Sequence, residues 1–430
     1  MEWGRLWSAM TRAQWGLVAA AMVAGAAPVA AEPAPQSWIT AYANAELAGA
    51  DGEQSWLKGD YGKARFGGNQ PGGTGDFVVR PHLTEAGLVL TPHLGWAFGG
   101  TVAVIAQDGQ DHAVDLSEAF LTYRPMPLGK LHVSARAGLF WPTVSLEHGG
   151  PEWAVRDTIT PSAINSWIGE EVKVTGVEAT AATLVGNHRL TATGALFALN
   201  DTAGTLLAFR GWALHDEKAT AFGFQPLPPL SPFMQMAQAA RTRPVIELDN
   251  KPGYYLKLAW RPPGPFELQA FHYDNRGEPE AVNAGLQWGW RTRFTHVGAI
   301  LDAGRRTRLI AQGLSGTTMM GFAMPGRRWV DTRYRAAFLL ATRTVGAGAV
   351  SARVEAFGTR SRGSELGSDN SEHGWAVTVA GHRPLGRYAA LYAEALHIGS
   401  RRDARTEAFG IDPHQTQTVV RLALRLRASR

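Results

Sequence analysis

Glu147 and His148 stand side by side in SLEHGGPEW (145–153), with Glu152 four residues beyond the histidine. A carboxylate beside an imidazole can hold a metal ion or activate a nucleophile. Neither chemistry is complete here. No second histidine stands at ligand spacing, and no serine lies in a recognisable nucleophile context, so neither a metal centre nor a lipase-like site is expected. GGNQPGGTGD (67–76) has the glycines of a phosphate loop but lacks its Gly-Lys-Ser/Thr ending, and reads as a surface loop. The chain has no cysteine, which excludes thiolate catalysis and cysteine-bound metal. No enzyme activity and no cofactor are expected.

Arginine is the other reactive population. Of 42 basic residues only seven are lysine, and the formal net charge is +5. Nucleic-acid binding wants a basic run interleaved with aromatics, whereas these arginines are dispersed, so no nucleic-acid partner is expected. What they line depends on the elements that carry them. In the final stretch, TQTVVRLALRLRASR, Thr416, Thr418, Val420, Leu422, Leu424 and Leu426 fall on one face of an extended strand. Gln417, Val419, Arg421, Ala423, Arg425 and Arg427 fall on the other. A period of two means β structure.

The same two-faced pattern recurs. Leu131, Val133, Ala135, Ala137, Leu139 and Trp141 form one apolar face. Ala119, Leu121 and Tyr123 oppose Glu118, Phe120, Thr122 and Arg124. Val350, Ala352, Val354 and Ala356 oppose Ser351, Arg353 and Glu355. The pattern predicts strands over 36–47, 84–92, 95–107, 114–124, 130–142, 170–184, 188–199, 253–261, 265–274, 285–302, 305–314, 332–342, 347–359, 373–383, 387–399 and 416–427. Short proline- and glycine-rich turns alternate strictly with long connections. To keep that order, 202–216 is read as a short helix inside the long connection 200–252, with Asp201 as its N-cap.

An even number of strands with all short turns at one end is the layout of an outer-membrane β-barrel, the short turns periplasmic and the long loops external. Aromatics near strand ends (Trp96, Tyr123, Trp141, Trp260, Tyr273, Trp375 and Tyr388) fit interfacial girdles. Residues 1–31 read as an export signal: Arg5 and Arg12, an apolar run, then Val29-Ala30-Ala31 before Glu32. No later stretch gives the roughly 18 apolar residues of a membrane helix. The expected class is therefore an all-β transmembrane barrel spanning 32–430, in the outer membrane.

Within the predicted strands there are 20 basic and 12 acidic residues, and in the connections 20 and 24. Charge facing lipid is costly, so strand charges should face a wet lumen. Arg124, Arg136, Arg335, Arg353, Arg421 and Arg425 are expected to line it together with Glu118 and Glu355. A basic lumen concentrates anions. If the arginines pair with acidic residues across the barrel, they merely hold it open.

EAFLTYRP (118–125), VSARAGLFWPTVSLEHGG (133–150), SAINSWIGEE (162–171) and GYYLKLAW (253–260) resemble Gram-negative porins. The layout is most similar to the phosphate-selective porin O and P family. The resemblance implies a passive channel for small hydrophilic solutes or anions. It implies that the connection 143–169 folds inward as a constriction carrying Glu147, His148, Glu152, Arg156, Asp157 and Asn165. It also implies outer-membrane lipid and lipopolysaccharide as surroundings, the barrel-assembly machinery as the agent of insertion, and a homotrimer. A barrel that does not conduct and acts through its external loops is the alternative.

Overall fold

The computed structural model describes residues 38–69, 75–324, 327–363 and 370–430; the stretch read as an export signal lies outside them. Sixteen strands close into one antiparallel barrel. They are β1 (Ile39–Gly52), β2 (Gly75–Leu90), β3 (Phe98–Gln107), β4 (Asp115–Tyr123), β5 (His132–Phe140), β6 (Val174–Val185), β7 (His188–Ala198), β8 (Gly253–Arg261), β9 (Phe266–Asp274), β10 (Arg291–Asp302), β11 (Thr307–Met324), β12 (Arg327–Val345), β13 (Gly348–Ser361), β14 (Glu372–Pro384), β15 (Ala389–Arg402) and β16 (His414–Ser429). Each pairs with its sequence neighbours, and β1 closes on β16 from Thr40↔Ser429 to Ala50↔Val419. Closure leaves no unpaired edge, which a barrel in lipid requires.

The alternation read from the sequence sets the faces. On β16, Val420, Leu422 and Leu426 are exposed, while Gln417, Val419, Arg421 and Ala423 are buried. On β13, Ser351, Arg353 and Glu355 are buried and Val354 is exposed. The expected connection 315–331 does not exist as such: β11 and β12 run on to Met324 and from Arg327. The expected strand 285–302 is shorter, starting at Arg291, because Val282↔Trp288 bridge within the preceding loop. Of the expected girdle, Trp96, Tyr123, Trp260, Trp375 and Tyr388 are exposed, but Trp141 and Tyr273 are buried inside. Trp141 was expected on the outer face with Leu139. The strand ends at Phe140, so alternation no longer governs the next side chain.

Two long connections enter the barrel. The one between β5 and β6 carries helix α1 (Ala163–Glu171), every residue of which is buried. Ser162 caps α1 by accepting from the Asn165 amide. Trp167 packs edge-on against Trp212, Phe294 and Tyr334 at 5.2–6.1 Å between ring centres. The connection between β7 and β8 carries α2 (Thr205–Arg210) and α3 (Pro232–Ala237). A last helix, α4 (Ala404–Phe409), lies between β15 and β16. The N-cap of α2 is Gly204, not Asp201. A Cβ at Gly204 would collide with the Thr318 and Thr292 hydroxyls, and its φ of +105° favours glycine. The amides of Leu206 and Leu207 are taken instead by the Glu171 carboxylate, at 2.8 and 3.2 Å. The protein's main apolar core therefore lies inside the barrel, between the wall and these two connections.

Candidate functional site

The lumen is organised by wall charges that hold the backbone of the entering connections. Glu118 accepts from the Trp141 amide at 3.1 Å, and Glu355 from the Ala163 amide at 2.7 Å, at the start of α1. Glu394 accepts from the Ile159 and Thr160 amides at 2.6 and 3.0 Å. Arg353 donates to the carbonyls of Thr160 and Pro161 at 2.9 and 3.0 Å, and Arg425 to that of Val155 at 2.8 Å. Lys257 donates to the Thr143 carbonyl at 2.8 Å. Charges expected to face a water-filled lumen thus mostly anchor protein within it. A buried charge needs such partners, and a buried backbone amide needs an acceptor, so each satisfies the other.

Three of the six expected arginines are also paired with acids. Arg136 meets Glu178 at 2.9 Å and lies over the Phe140 ring. Arg353 meets Glu147 at 3.0 Å and Glu355 at 2.8 Å. Arg421 meets both Glu46 and Asp216 at 2.7 Å. Two expected pore-lining residues are elsewhere. Arg124 lies past the end of β4, exposed in a short turn. Arg335 is exposed on the outer face, because Tyr334, Ala336, Phe338 and Leu340 take the lumen side of β12. That strand packs against the aromatic side of α1 and is apolar on its lumen face, so charge does not mark that side.

The residues expected at a constriction divide. Glu147 is turned into the connection's own base, accepting from the Ser162 amide at 2.9 Å and from Asn165 at 2.7 Å. His148 turns the other way, 2.9 Å from the Ser145 hydroxyl and stacked on Trp153 at 4.4 Å. Trp153 stacks in turn on Trp141 at 4.9 Å. The adjacent pair therefore shares no ligand. Burial pushes the His148 imidazole well below its usual pKa, with Lys218 adding to the effect. Glu152 pairs with Arg427, while Arg156 is exposed and Asp157 partly so.

Sequence reasoning missed that 212–221 crosses the lumen beside this connection. Trp212 takes the Glu372 carboxylate on its amide at 3.0 Å. Asp216 joins Arg421 to Arg65, the latter at 3.2 Å, and Lys218 pairs with Glu85 at 2.8 Å. The Ala219 amide donates to the Gly169 carbonyl at 2.8 Å, so the two connections are tied to each other. Burial raises Glu217 to about 7, only partly opposed by Arg65. Burial alone would raise Glu170 as well, but Arg210 and His215 bring it down to about 2. The one visible signal was His215-Asp216-Glu217-Lys218, four titratable residues in a row between apolar stretches. Asp201, Glu247 and Asp249 also converge within 4.8 Å. Asp201 and Glu247 accept the Leu248 and Leu199 amides at 2.6 and 2.9 Å, which fastens the base of this connection.

A cavity of about 650 Å³ remains at the short-turn end. Its lining includes Tyr42, His148, Trp153, Arg156, Asp157, Lys218, Arg387, Tyr388, Arg425 and Arg427. Six basic and six acidic side chains border it, counting Lys and Arg against Asp and Glu. Glu85, Glu147, Glu152, Asp216 and Glu217 are each taken by a cation. Among the described residues Arg156, Arg387 and Arg425 have no ion pair, against Asp157 alone of the acids, so the cavity presents a net positive face to water despite the equal count.

No family model matches the chain, and no curated protein matches it. The outer-membrane channel DcaP of Acinetobacter baumannii is similar in structure, with 10% identity and a TM-score of 0.56 over 91% of this chain and 96% of that one. An anion-selective porin from Comamonas acidovorans matches with 12% identity and a TM-score of 0.48, over 91% and 98% of the two chains. OmpT, an outer membrane protein of Vibrio cholerae, matches with 8% identity and a TM-score of 0.48, over 93% and 100%. At these identities the likeness is one of fold: the chain is a closed sixteen-strand antiparallel barrel of the kind found in outer-membrane porins and channels.

Proposed function

We propose that this protein is a passive outer-membrane channel for small hydrophilic solutes, with a weak preference for anions and no chemistry of its own. The observation that carries the reading is the cavity at the short-turn end, where Arg156, Arg387 and Arg425 have no acidic partner among the described residues. In barrels of this kind short turns face the periplasm, so the cavity is a periplasmic vestibule. Unpaired guanidinium groups in a narrow wet space raise the local anion concentration. The connections 141–173 and 199–252 together set the width above it.

Phosphate selectivity has little support. Lys63 pairs with Glu372, Lys218 with Glu85, and Lys257 holds the Thr143 carbonyl, so the lumen lysines are already engaged. A general anion preference fits the free arginines better. The second reading, a barrel that does not conduct and acts through its external connections, is favoured by the dense packing of Trp56, Leu206, Trp290 and Met320 at the long-connection end.

Planar-bilayer recording separates the two. Purified, folded protein should give discrete conductance steps. A salt gradient should give a reversal potential on the chloride side, stronger at low ionic strength, since the Debye length is about 8 Å at physiological salt. Folded protein without conductance steps favours the second reading, and a cation-side potential overturns the anion preference.

A further inference from the structure

On the outer face, four arginines gather at the long-connection end of neighbouring strands. The register puts Arg293 opposite Thr317, Thr317 opposite Arg333, and Arg333 opposite Arg360; Arg335 lies opposite Ser315 one step nearer the short-turn end. Directly paired residues share a face. All four arginines are exposed, and they share parity with the outward Val297, Leu339 and Val354. Phe294, Tyr334 and Phe357, of the other parity, are buried in the lumen. With strands about 4.8 Å apart and like-facing residues about 6.7 Å apart, the four Cα atoms fit within a patch roughly 15 by 7 Å.

Depth decides what this patch meets. Towards the short-turn end of β12 the outward residues after Arg335 are Ala337, Leu339 and Ala341, and then Arg343. Eight residues on a strand tilted about 40° rise roughly 20 Å, close to the height of the apolar band of such barrels. Arg343 and Arg335 thus bracket the hydrocarbon. Arg293, Arg333, Arg335 and Arg360 stand at its external border, facing sideways into the lipid headgroups. None of the four has an acidic partner within 4 Å among the described residues. Arg293 donates to the Thr317 hydroxyl at 3.2 Å, and the nearby acids Asp274, opposite Arg293, and Asp331, two residues before Arg333, are taken by Arg291 and Arg362. The four guanidinium groups therefore repel one another beside a low-dielectric layer unless an anion lies between them. Guanidinium groups suit phosphate in bidentate geometry, and the Ser315 and Thr317 hydroxyls within the patch suit further oxygens of a sugar.

We infer that this patch is a binding site for the phosphorylated sugar headgroup of an outer-leaflet glycolipid. The site is separate from the lumen and does not depend on whether the barrel conducts. Its role is to seat the β10–β13 side of the wall in an anionic leaflet.

The test uses the full folded protein in detergent and native mass spectrometry. The probes are diphosphoryl lipid A, its dephosphorylated form, phosphatidylglycerol and inorganic phosphate. Wild-type protein should retain diphosphoryl lipid A in preference to the dephosphorylated form and to phosphatidylglycerol, and millimolar inorganic phosphate should not displace it. Each of Arg293→Gln, Arg333→Gln, Arg335→Gln and Arg360→Gln should weaken retention about fivefold, and the quadruple variant should abolish it. Arg343→Gln, on the same face at the other border, should leave it unchanged. Heat-modifiable migration on gels confirms folding, and the single variants serve if the quadruple one does not fold. Equal retention by the arginine variants, or equal retention of the dephosphorylated lipid, overturns the proposal. So does a change of subunit assembly without any loss of lipid, which would make the patch a protein interface.

Discussion

Arg353 and Glu147 meet at 3.0 Å with neither side chain exposed, joining β13 in the wall to a connection 206 positions earlier in the chain. Glu355 holds the other edge of the guanidinium, so one cation is shared by a wall acid and a connection acid. Around this pair the wall treats the entering chain as a bound ligand. It offers carboxylates to amides and cations to carbonyls.

Glu147→Ala should therefore loosen the connection rather than the barrel. It removes the acceptor of Ser162 and Asn165 and leaves Arg353 with one acid instead of two. Breaking a buried pair from one side costs about 3–5 kcal/mol. The expected outcome is a protein that still migrates as a folded barrel, with a lower first thermal transition and a higher, noisier conductance. Adding Arg353→Met should not restore the loss, because Glu355 then stays buried with the Ala163 amide as its only partner among the described residues. A double-mutant cycle on the thermal data checks the coupling.

Asp216→Asn tests the second connection. Asp216 neutralises Arg421 and Arg65 together, at 2.7 and 3.2 Å. The variant leaves Arg421 with Glu46 and Arg65 with Glu217. Net charge in the lumen rises by one unit where the passage is narrow. The reversal potential under a salt gradient should move further towards chloride, and the change should shrink at high salt. An unchanged potential would mean that ions do not pass near Asp216.

Much of the fold was legible because a strand declares its faces every second residue. Arg421, Arg353 and Glu355 could be assigned to the face opposite the apolar one from their neighbours alone, and all three are buried. The rule failed at Arg335, whose strand is apolar on the lumen side, and at Trp141, one residue past its strand. The partners were not legible at all. Arg421 and Asp216 are 205 positions apart, and the run His215-Asp216-Glu217-Lys218 does not say which wall residues it would meet. Whether a lumen arginine meets water or an acid depends on where that run lies, so the charge excess alone overstated how open and basic the lumen is.

Through its histidines, lowering the pH should loosen the inner connection. Burial holds the His148 and His215 imidazoles below their usual pKa. The unfolded segment therefore binds more protons than the packed one once the pH falls below about 6.5, and packing weakens on the acid side. Glu217, raised to about 7 by burial, works in the opposite sense: its contribution is largest in acid and is lost as the pH rises through that value. Glu171 in α1, also raised to about 7 by burial, acts with Glu217. The histidine contribution to acid-side proteolysis of 141–173 is therefore read as the difference between wild type and His148→Gln between about pH 7 and about pH 5. Cleavage of His148→Gln should quicken less than that of the wild type over this range, and an unchanged profile in this variant would assign the effect to His215 instead.

The last test concerns the face assignment on which every lumen argument rests. Leu424 lies opposite Ala45 and Leu391 on the outer face, while Arg425 reaches the Val155 carbonyl inside. A lipid-facing arginine costs about 2–4 kcal/mol at the midplane and less towards the interface, where Leu424 stands two pairs in from the short turn. Leu424→Arg should slow or prevent assembly, seen as loss of the heat-modifiable form on gels. Arg425→Leu removes a cation from the vestibule and a bond to the connection, but adds no charge to lipid. It should assemble normally and shift the reversal potential away from chloride, because Arg425 is one of only three vestibule cations without an acidic partner among the described residues. Failure of Arg425→Leu to fold, with normal folding of Leu424→Arg, would place the register of β16 one residue out.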